Sequence, residues 1–526
     1  MSQFLFYYVR PDPATWLYLS VFLLVGVFFV FHRVWSVRNL DILLLVLLAP
    51  GLLLVYEGRK LRSLEIEPIS SKQPLAIAKS SRMVSETNPI RTPSIFVSVQ
   101  QDAARSGDVP RDEAGKTAVA NPPAANATGV VAGAAPPAAP VPLPSASNVQ
   151  TNQTGWTSKQ IEFVGFAWLL VACGLLMIRM LIDPALVRRP LLEPNLSIGG
   201  LSFIGISLFI FLMSNVMMSD PGEAQRQGPR LGPGYALLNK LPDLPTTPEH
   251  EADEWNQSAK AAENLWLHNL ARLLAVLSNL AIVLGIIGIG YWHFDNVKTG
   301  IGCATMYLLF PYTAQMTGNV EHGLPAALLT LAVLSYRQPL LAGCFLGLAS
   351  GLVYYPLFLL PLWISFYFQR GLWRLLAGVM LMLVLLAGLL LLGGVPDFLR
   401  DIRDMFGLWK PAMQNLSGIW GLGFEPMFRL PVLVAFVILT HSFIFWPMRK
   451  TLGTLMCGTA AVMLAAQFWH GYGGGLYMAW FLPCVILTIF RPNLDDRIAT
   501  RVVRPRWSRP ERISVSAAST PQTTAA

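Results

Sequence analysis

Charge is scarce in this chain. Only 13% of its 526 residues are charged, against about 25% in a soluble globular domain, too few to cover a surface that faces water on all sides. Hydrophobic residues make up 53% and the mean hydropathy is +0.49, which leaves a polytopic membrane protein. Cysteine is scarce as well. Cys173, Cys303, Cys344, Cys457 and Cys484 all lie inside apolar runs, and no two stand at metal-ligand spacing. That excludes a disulfide framework and a cysteine metal centre and leaves five small apolar packing residues. No Walker A, HExxH or G-x-S-x-G pattern and no paired His/Cys metal set occurs, so no metal is expected. HGYGGG, from His470, has neither a strand before it nor a Lys-Ser/Thr after it; it reads as a flexible turn. The first residues, MSQFLFYYVRPDPATW, carry no small-residue cleavage site and read as an uncleaved first span.

The net charge of +9 does not point to nucleic acid. The basic residues sit at the ends of apolar runs and between Arg491 and Arg512, where they match the positive-inside rule and anionic lipid headgroups. Membrane lipids are the expected partners.

The fold expected is all-α, a multi-pass cell-membrane protein with about thirteen transmembrane helices. Two N-terminal spans occupy residues 1–57. Residues 58–158 become rich in Pro and Ala from Ala118 and read as a disordered loop, since they lack the apolar surface that offsets chain entropy. A further span and basic link take 159–197, a larger helical module takes 198–492 with polar segments at 219–267 and 395–430, and a basic disordered tail runs from 493 to 526. Within the module, Gly300–Arg370 holds short apolar runs joined by TGNVEH, YRQ and VYYP. Short runs with tight links predict broken or tilted helices, which survive at membrane depth only when protein or a water-filled cavity satisfies the backbone. The stretch FLRDIRDMFGLW reads as an amphipathic interfacial helix, and Leu476–Phe490 reads as the last span.

The links fall into two sets. Arg33/Arg38, Arg188/Arg189, Lys298, Arg337, Arg370/Arg374, Arg449/Lys450 and Arg491/Arg497 share one side; the acidic 219–267 segment, TGNVEH, VYYP, 395–430 and HGYGGG share the other. With basic links inside, the N-terminus is outside and the C-terminus inside. Arg59, Lys60 and Arg62 then stand on the outer side, against the rule. That outer side also collects the polar residues able to do chemistry: Asp220, Arg272, Asn319, Glu321, His322, Tyr354, Tyr355, Arg403, Arg429 and His470.

The turn TGNVEHG leads into LPAALLTLAVLSYRQ and then LAGCFLGLASGLVYYPLFLLPLW. This order, with Gly343, Gly347 and Pro356, resembles the "GQ-N … LAG-LLGLA-alK-P" pattern of the GT-C membrane glycosyltransferases, in particular the polyprenol-phosphate-mannose-dependent mannosyltransferase-like group. The resemblance covers roughly Ser197–Pro492. It implies a GT-C-like module whose donor is a polyprenyl-phosphate sugar, and it places a general base at Asp220; Glu321, the only acid in the TGNVEH link, is the second catalytic candidate. The Lys of the pattern is replaced by Tyr354 or Tyr355, and Asp220 is followed by Pro-Gly. Transfer from a lipid phosphate requires a base for the incoming hydroxyl and cations for the leaving phosphate. Arg272, His322, Arg403 and Arg429 are candidates for the phosphate, Tyr354, Trp420 and Tyr472 for stacking, and Asn319, Tyr355 and His470 for further substrate contacts. Two other readings stay open, a multi-span transporter and a non-catalytic membrane scaffold. Apart from the donor, no cofactor is expected.

Overall fold

The structure is a computed structural model. It describes residues 12–70, 156–186, 194–219, 231, 235–242, 244, 265–392, 394–405 and 416–503. By their contacts the residues form two units, one of Met1–Glu67 with Thr151–Ala526 and one of Pro68–Gln150; the first holds the architecture that follows.

Every described element is helical, and among the described residues the bridges are two isolated ones. Among the described residues six helices are long and apolar enough to cross a membrane. In order the helices are α1 Pro13–Phe28, α2 Val37–Val46, α3 Leu48–Ser70, α4 Ser158–Ile182, α5 Ile198–Met217, α6 Leu265–Trp292, α7 Val297–Leu309, α8 Pro311–Gln315, α9 Val320–Leu334, α10 Pro339–Leu352, α11 Leu360–Tyr367, α12 Leu372–Leu391, α13 Val395–Met405, α14 Arg429–Ser442, α15 Leu452–Trp469, α16 Leu482–Phe490 and α17 Ala499–Val502. Their starts follow local chemistry. Asp12 caps α1 ahead of Pro13, and capping boxes Thr157/Gln160 and Thr451/Thr454 open α4 and α15, each satisfying donors that no carbonyl of the helix can reach.

Several of the breaks between the short runs fall at a proline. Pro311 and Pro339 begin α8 and α10, and a 3-10 turn, Tyr355–Leu359, precedes α11; proline suits a first turn. Pro325 is the exception, and α9 continues through it. α9 and α10 have 15 and 14 residues, about 20 Å each at 1.5 Å per residue, shorter than a bilayer core of about 30 Å. The glycines that carry the family resemblance have a packing role. A Cβ on Gly343 would lie 2.2 Å from the Leu375 oxygen, and one on Gly347 2.6 Å from the Val379 oxygen. α10 and α12 therefore touch backbone to backbone, as small residues at i and i+4 allow. At the centre stands α15, 94% of whose apolar window is buried, whereas α5 and α12 bury only 28% and present the rest outward.

Four expectations are corrected. Leu476–Phe490 is not one span: a 3-10 turn, Met478–Trp480, precedes the nine-residue α16, because Pro483 can open a helix but not continue one. α3 runs to Ser70, past the expected boundary at 58; most of the 58–158 loop lies outside the described residues. The tail begins ordered: Leu452 N–H donates to Arg497 O at 3.0 Å, and Arg370 donates to Thr500 O at 2.6 Å. HGYGGG is buried throughout. Gln467 Oε1 accepts from Gly475 N at 3.1 Å and Tyr477 N at 3.3 Å, so the backbone donors of this turn are met inside the protein.

The links sort into two ends. At one, Arg179 Nε meets Asp41 Oδ1 at 2.5 Å, Arg491 Nη2 meets Asp183 Oδ2 at 2.5 Å and Arg497 meets Asp295 at 3.0 Å, while Arg337 donates to Trp292 O. At the other, the turns before α9, after α10 and after α15 meet the segment before α14.

Candidate functional site

The second end is built around Glu321, in the first turn of α9 and only 2% exposed. Asn319 Nδ2 donates to Glu321 Oε1 at 2.8 Å, and Trp480 Nε1 donates to Glu321 O at 3.0 Å. The adjacent His322 has its Nδ1 against the Tyr312 hydroxyl and its Nε2 3.6 Å from Glu321 Oε1. The imidazole therefore lies between a phenol and a carboxylate, an arrangement that orients a base and gives its proton somewhere to go.

A second histidine mirrors the first. His470 Nδ1 accepts from Tyr472 N–H at 3.2 Å. That assigns the ring proton to Nε2, which donates to the Tyr235 oxygen at 2.7 Å; the Tyr235 hydroxyl in turn hydrogen-bonds Tyr477. Burial, reinforced by the charge of Arg429 and by His322, holds His470 well below the ordinary imidazole range, so it is a neutral hydrogen-bonding group at neutral pH. Burial and the charge of Glu321 push the Tyr477 phenol up, so it stays protonated; its hydrogen bond to Tyr235 and the charge of Arg59 oppose this.

Aromatic rings join the two histidines. Tyr477 stacks on His322 with centroids 4.3 Å apart and lies 4.3 Å from His470. Tyr355 stacks on His470 at 4.7 Å and on Tyr354 at 4.2 Å. Arg429, buried at the start of α14, donates through Nη2 to Trp469 O at 2.9 Å, which fixes a cation one residue from His470. The turn after α15 brings these groups together. Gly473 (φ +76) and Gly475 (φ +99) take left-handed conformations that other residues adopt at a cost. Ser417 N–H donates to Gly471 O at 3.0 Å.

Seven of the ten residues expected from sequence thus meet in one place: Glu321, Asn319, His322, Tyr354, Tyr355, Arg429 and His470. Asp220 lies outside the described residues. Arg272 turns to the end of α5, its Nη2 donating to Ser219 O and its Nε to Ser219 Oγ; a charge about two turns inside an apolar helix finds its acceptor there. Arg403 does not join the cluster. It is exposed on α13, which takes in the first part of the amphipathic helix expected at 398–409, and there Arg400 pairs with Asp397 at 2.9 Å; residues 406–409 lie outside the described residues. Sequence reasoning missed Tyr235, Tyr312, Tyr477 and Trp480. Tyr312 had a signal, the Pro311 break inside an apolar run.

A donor set for a metal is absent: among the described residues no group of three His, Cys, Asp or Glu is placed to hold an ion. The chain matches no family model, no curated protein and no solved structure.

Proposed function

We propose that this protein is an integral membrane glycosyltransferase of GT-C type, moving a sugar from a polyprenyl-phosphate donor to an acceptor hydroxyl on the outer face of the cell membrane. The topology that goes with this reading has about thirteen spans, the N-terminus outside and the C-terminus inside. One observation supports it above the others: Glu321 and His322 from α9 share a buried aromatic cluster with Arg429 and His470, at the end opposite the basic links.

The chemistry follows from those groups. A carboxylate takes the proton of the acceptor hydroxyl as its oxygen bonds to the anomeric carbon, and the bond from that carbon to the donor phosphate oxygen breaks with its electron pair. Arg429 offsets the charge that grows on the leaving phosphate. Glu321, oriented by Asn319 and His322, is one base; Asp220 is the other. The half-buried Tyr354 offers a ring to a sugar, and Tyr355, stacked between Tyr354 and His470, holds it in place.

The test is sugar transfer from a polyprenyl-phosphate donor by the purified chain. Glu321→Gln is expected to lower turnover by about 10²–10⁴, with thermal stability followed in parallel, and Asp220→Asn to do so if Asp220 is the base. Wild-type turnover in both variants contradicts the reading. The break between Met478–Trp480 and α16 favours one rival, a transporter, since discontinuous helices line transport sites. Solute uptake by proteoliposomes without sugar transfer decides for it.

A further inference from the structure

Arg59, Lys60 and Arg62 are the basic residues that break the charge rule. They lie on α3 at the end that carries His470, away from Arg337, Arg370 and Arg491. At this point α3 and α4 run backbone against backbone: a Cβ on Gly58 would stand 2.7 Å from Glu162 N, and one on Gly165 2.7 Å from Val55 N. The contact pins the buried Glu162 carboxylate between two guanidiniums, 3.5 Å from Arg59 Nε and touching Arg62 Nη2.

One carboxylate against two guanidiniums leaves a positive charge in excess, and the side chains of Arg59 and Arg62 stay 39% and 33% exposed. Arg62 Nε is buried and has no hydrogen-bond acceptor among the described residues. Arg59 lies over the Phe166 ring, 5.7 Å from its centroid. Phe166 borders Gly418, where a Cβ would be 3.3 Å from the ring and 2.8 Å from Gly473 Cα. The excess charge therefore sits at the rim of the histidine cluster, within electrostatic reach of His322 and Tyr477. A structural ion pair needs one arginine. Two, held rigidly with donors to spare, suit the oxygens of a phosphate.

We infer that Arg59 and Arg62 bind the phosphate of a membrane lipid headgroup and hold it beside the His322–Tyr477 cluster. The inference rests on the proposed function only in taking that cluster as the site.

The experiment measures polyprenyl monophosphate binding to the full-length purified protein, with phosphatidylglycerol and inorganic phosphate as competitors. The charge-neutral variant R59Q/R62Q/E162Q removes the pair without stranding Glu162; it is expected to bind about tenfold or more weakly, while E162Q alone, which frees both guanidiniums, binds at least as tightly as wild type. Unchanged affinity in the triple variant overturns the inference. If the triple variant loses its thermal transition, R59K/R62K decides: it keeps the charge and loses the planar fork, so binding weaker by about threefold supports the inference and wild-type binding overturns it. Displacement by phosphatidylglycerol marks a general headgroup site. Equal displacement by inorganic phosphate at the same concentration overturns the lipid assignment. Binding that depends on both arginines, in a protein that transfers no sugar, keeps this site and removes the reaction. Transfer indifferent to the triple variant does the reverse.

Discussion

At the end of the molecule that holds Arg491, buried charge meets buried charge: Asp41 and Asp183 face Arg179 and Arg491, and Asp183 is fully buried. At the end that holds His470, the ion pairs of Glu162 with Arg59 and Arg62 stay at the rim; around Glu321 the buried titratable groups meet phenols, imidazoles and indoles instead, with Arg429 set against a backbone carbonyl. The first arrangement spends each charge on an opposite one and leaves little for a ligand. The second keeps a carboxylate, two imidazoles and a cation in place through neutral partners, so their chemistry stays available.

Breaking the first end carries the largest effect. Asp183→Asn strands Arg491 and leaves Arg179 with Asp41 alone, and it is expected to destabilise the protein by about 3–5 kcal/mol, as removal of one partner from a buried ion network does; thermal unfolding in detergent measures it. A wild-type transition would mean that the network holds nothing together. Next comes the turn that assembles the second end. Gly475→Ala forces a side chain onto a backbone at φ +99 and is expected to cost about 1–3 kcal/mol, together with sugar transfer, because Gln467 then loses its hold on the turn.

The pH dependence sharpens the comparison further. His470 lies below its ordinary value of 6.5, chiefly through burial. The unfolded chain therefore binds the proton first, so stability is present above about pH 6.5 and falls as pH drops toward the folded value, at most about 1.4 kcal/mol per pH unit for one such group. Thermal unfolding from about pH 8 to about pH 5 should show this decline in wild type and a flatter profile in His470→Gln; identical profiles would show that His470 contributes no such linkage. The smallest effect belongs to Arg403→Gln, exposed on α13 and expected to stay within about 0.5 kcal/mol with transfer unchanged. A loss of transfer in this variant would move the site toward α13.

Much of this was legible in the residues. α4, α5, α6, α12 and α15 follow from long apolar runs, which name a span whatever packs against it. α9 and α10 follow from the polar links that bound them. The last span was misread because GLYMAWFLPCVILTIF is apolar whether it forms a turn or a helix, and hydropathy does not separate the two. At the site, Glu321, His322 and His470 stood out because polar groups in short links are few, and Arg429 because it is a cation in the 395–430 polar segment just before an apolar run. Tyr312 and Tyr477 did not, since a tyrosine near a span end matches an interfacial belt equally well. Tyr235 comes from a polar segment with no periodicity, and only the folded chain brings it to His470.

The central claim is that the two ends face opposite sides of a bilayer, with the Glu321 cluster on the non-cytosolic one. Met427 and Met448 are both exposed and flank α14. In sealed vesicles of known orientation, with the native cysteines replaced, a membrane-impermeant thiol reagent should label Met427→Cys from the non-cytosolic side alone and Met448→Cys from the cytosolic side alone. Labelling of both positions from the same side would contradict the account.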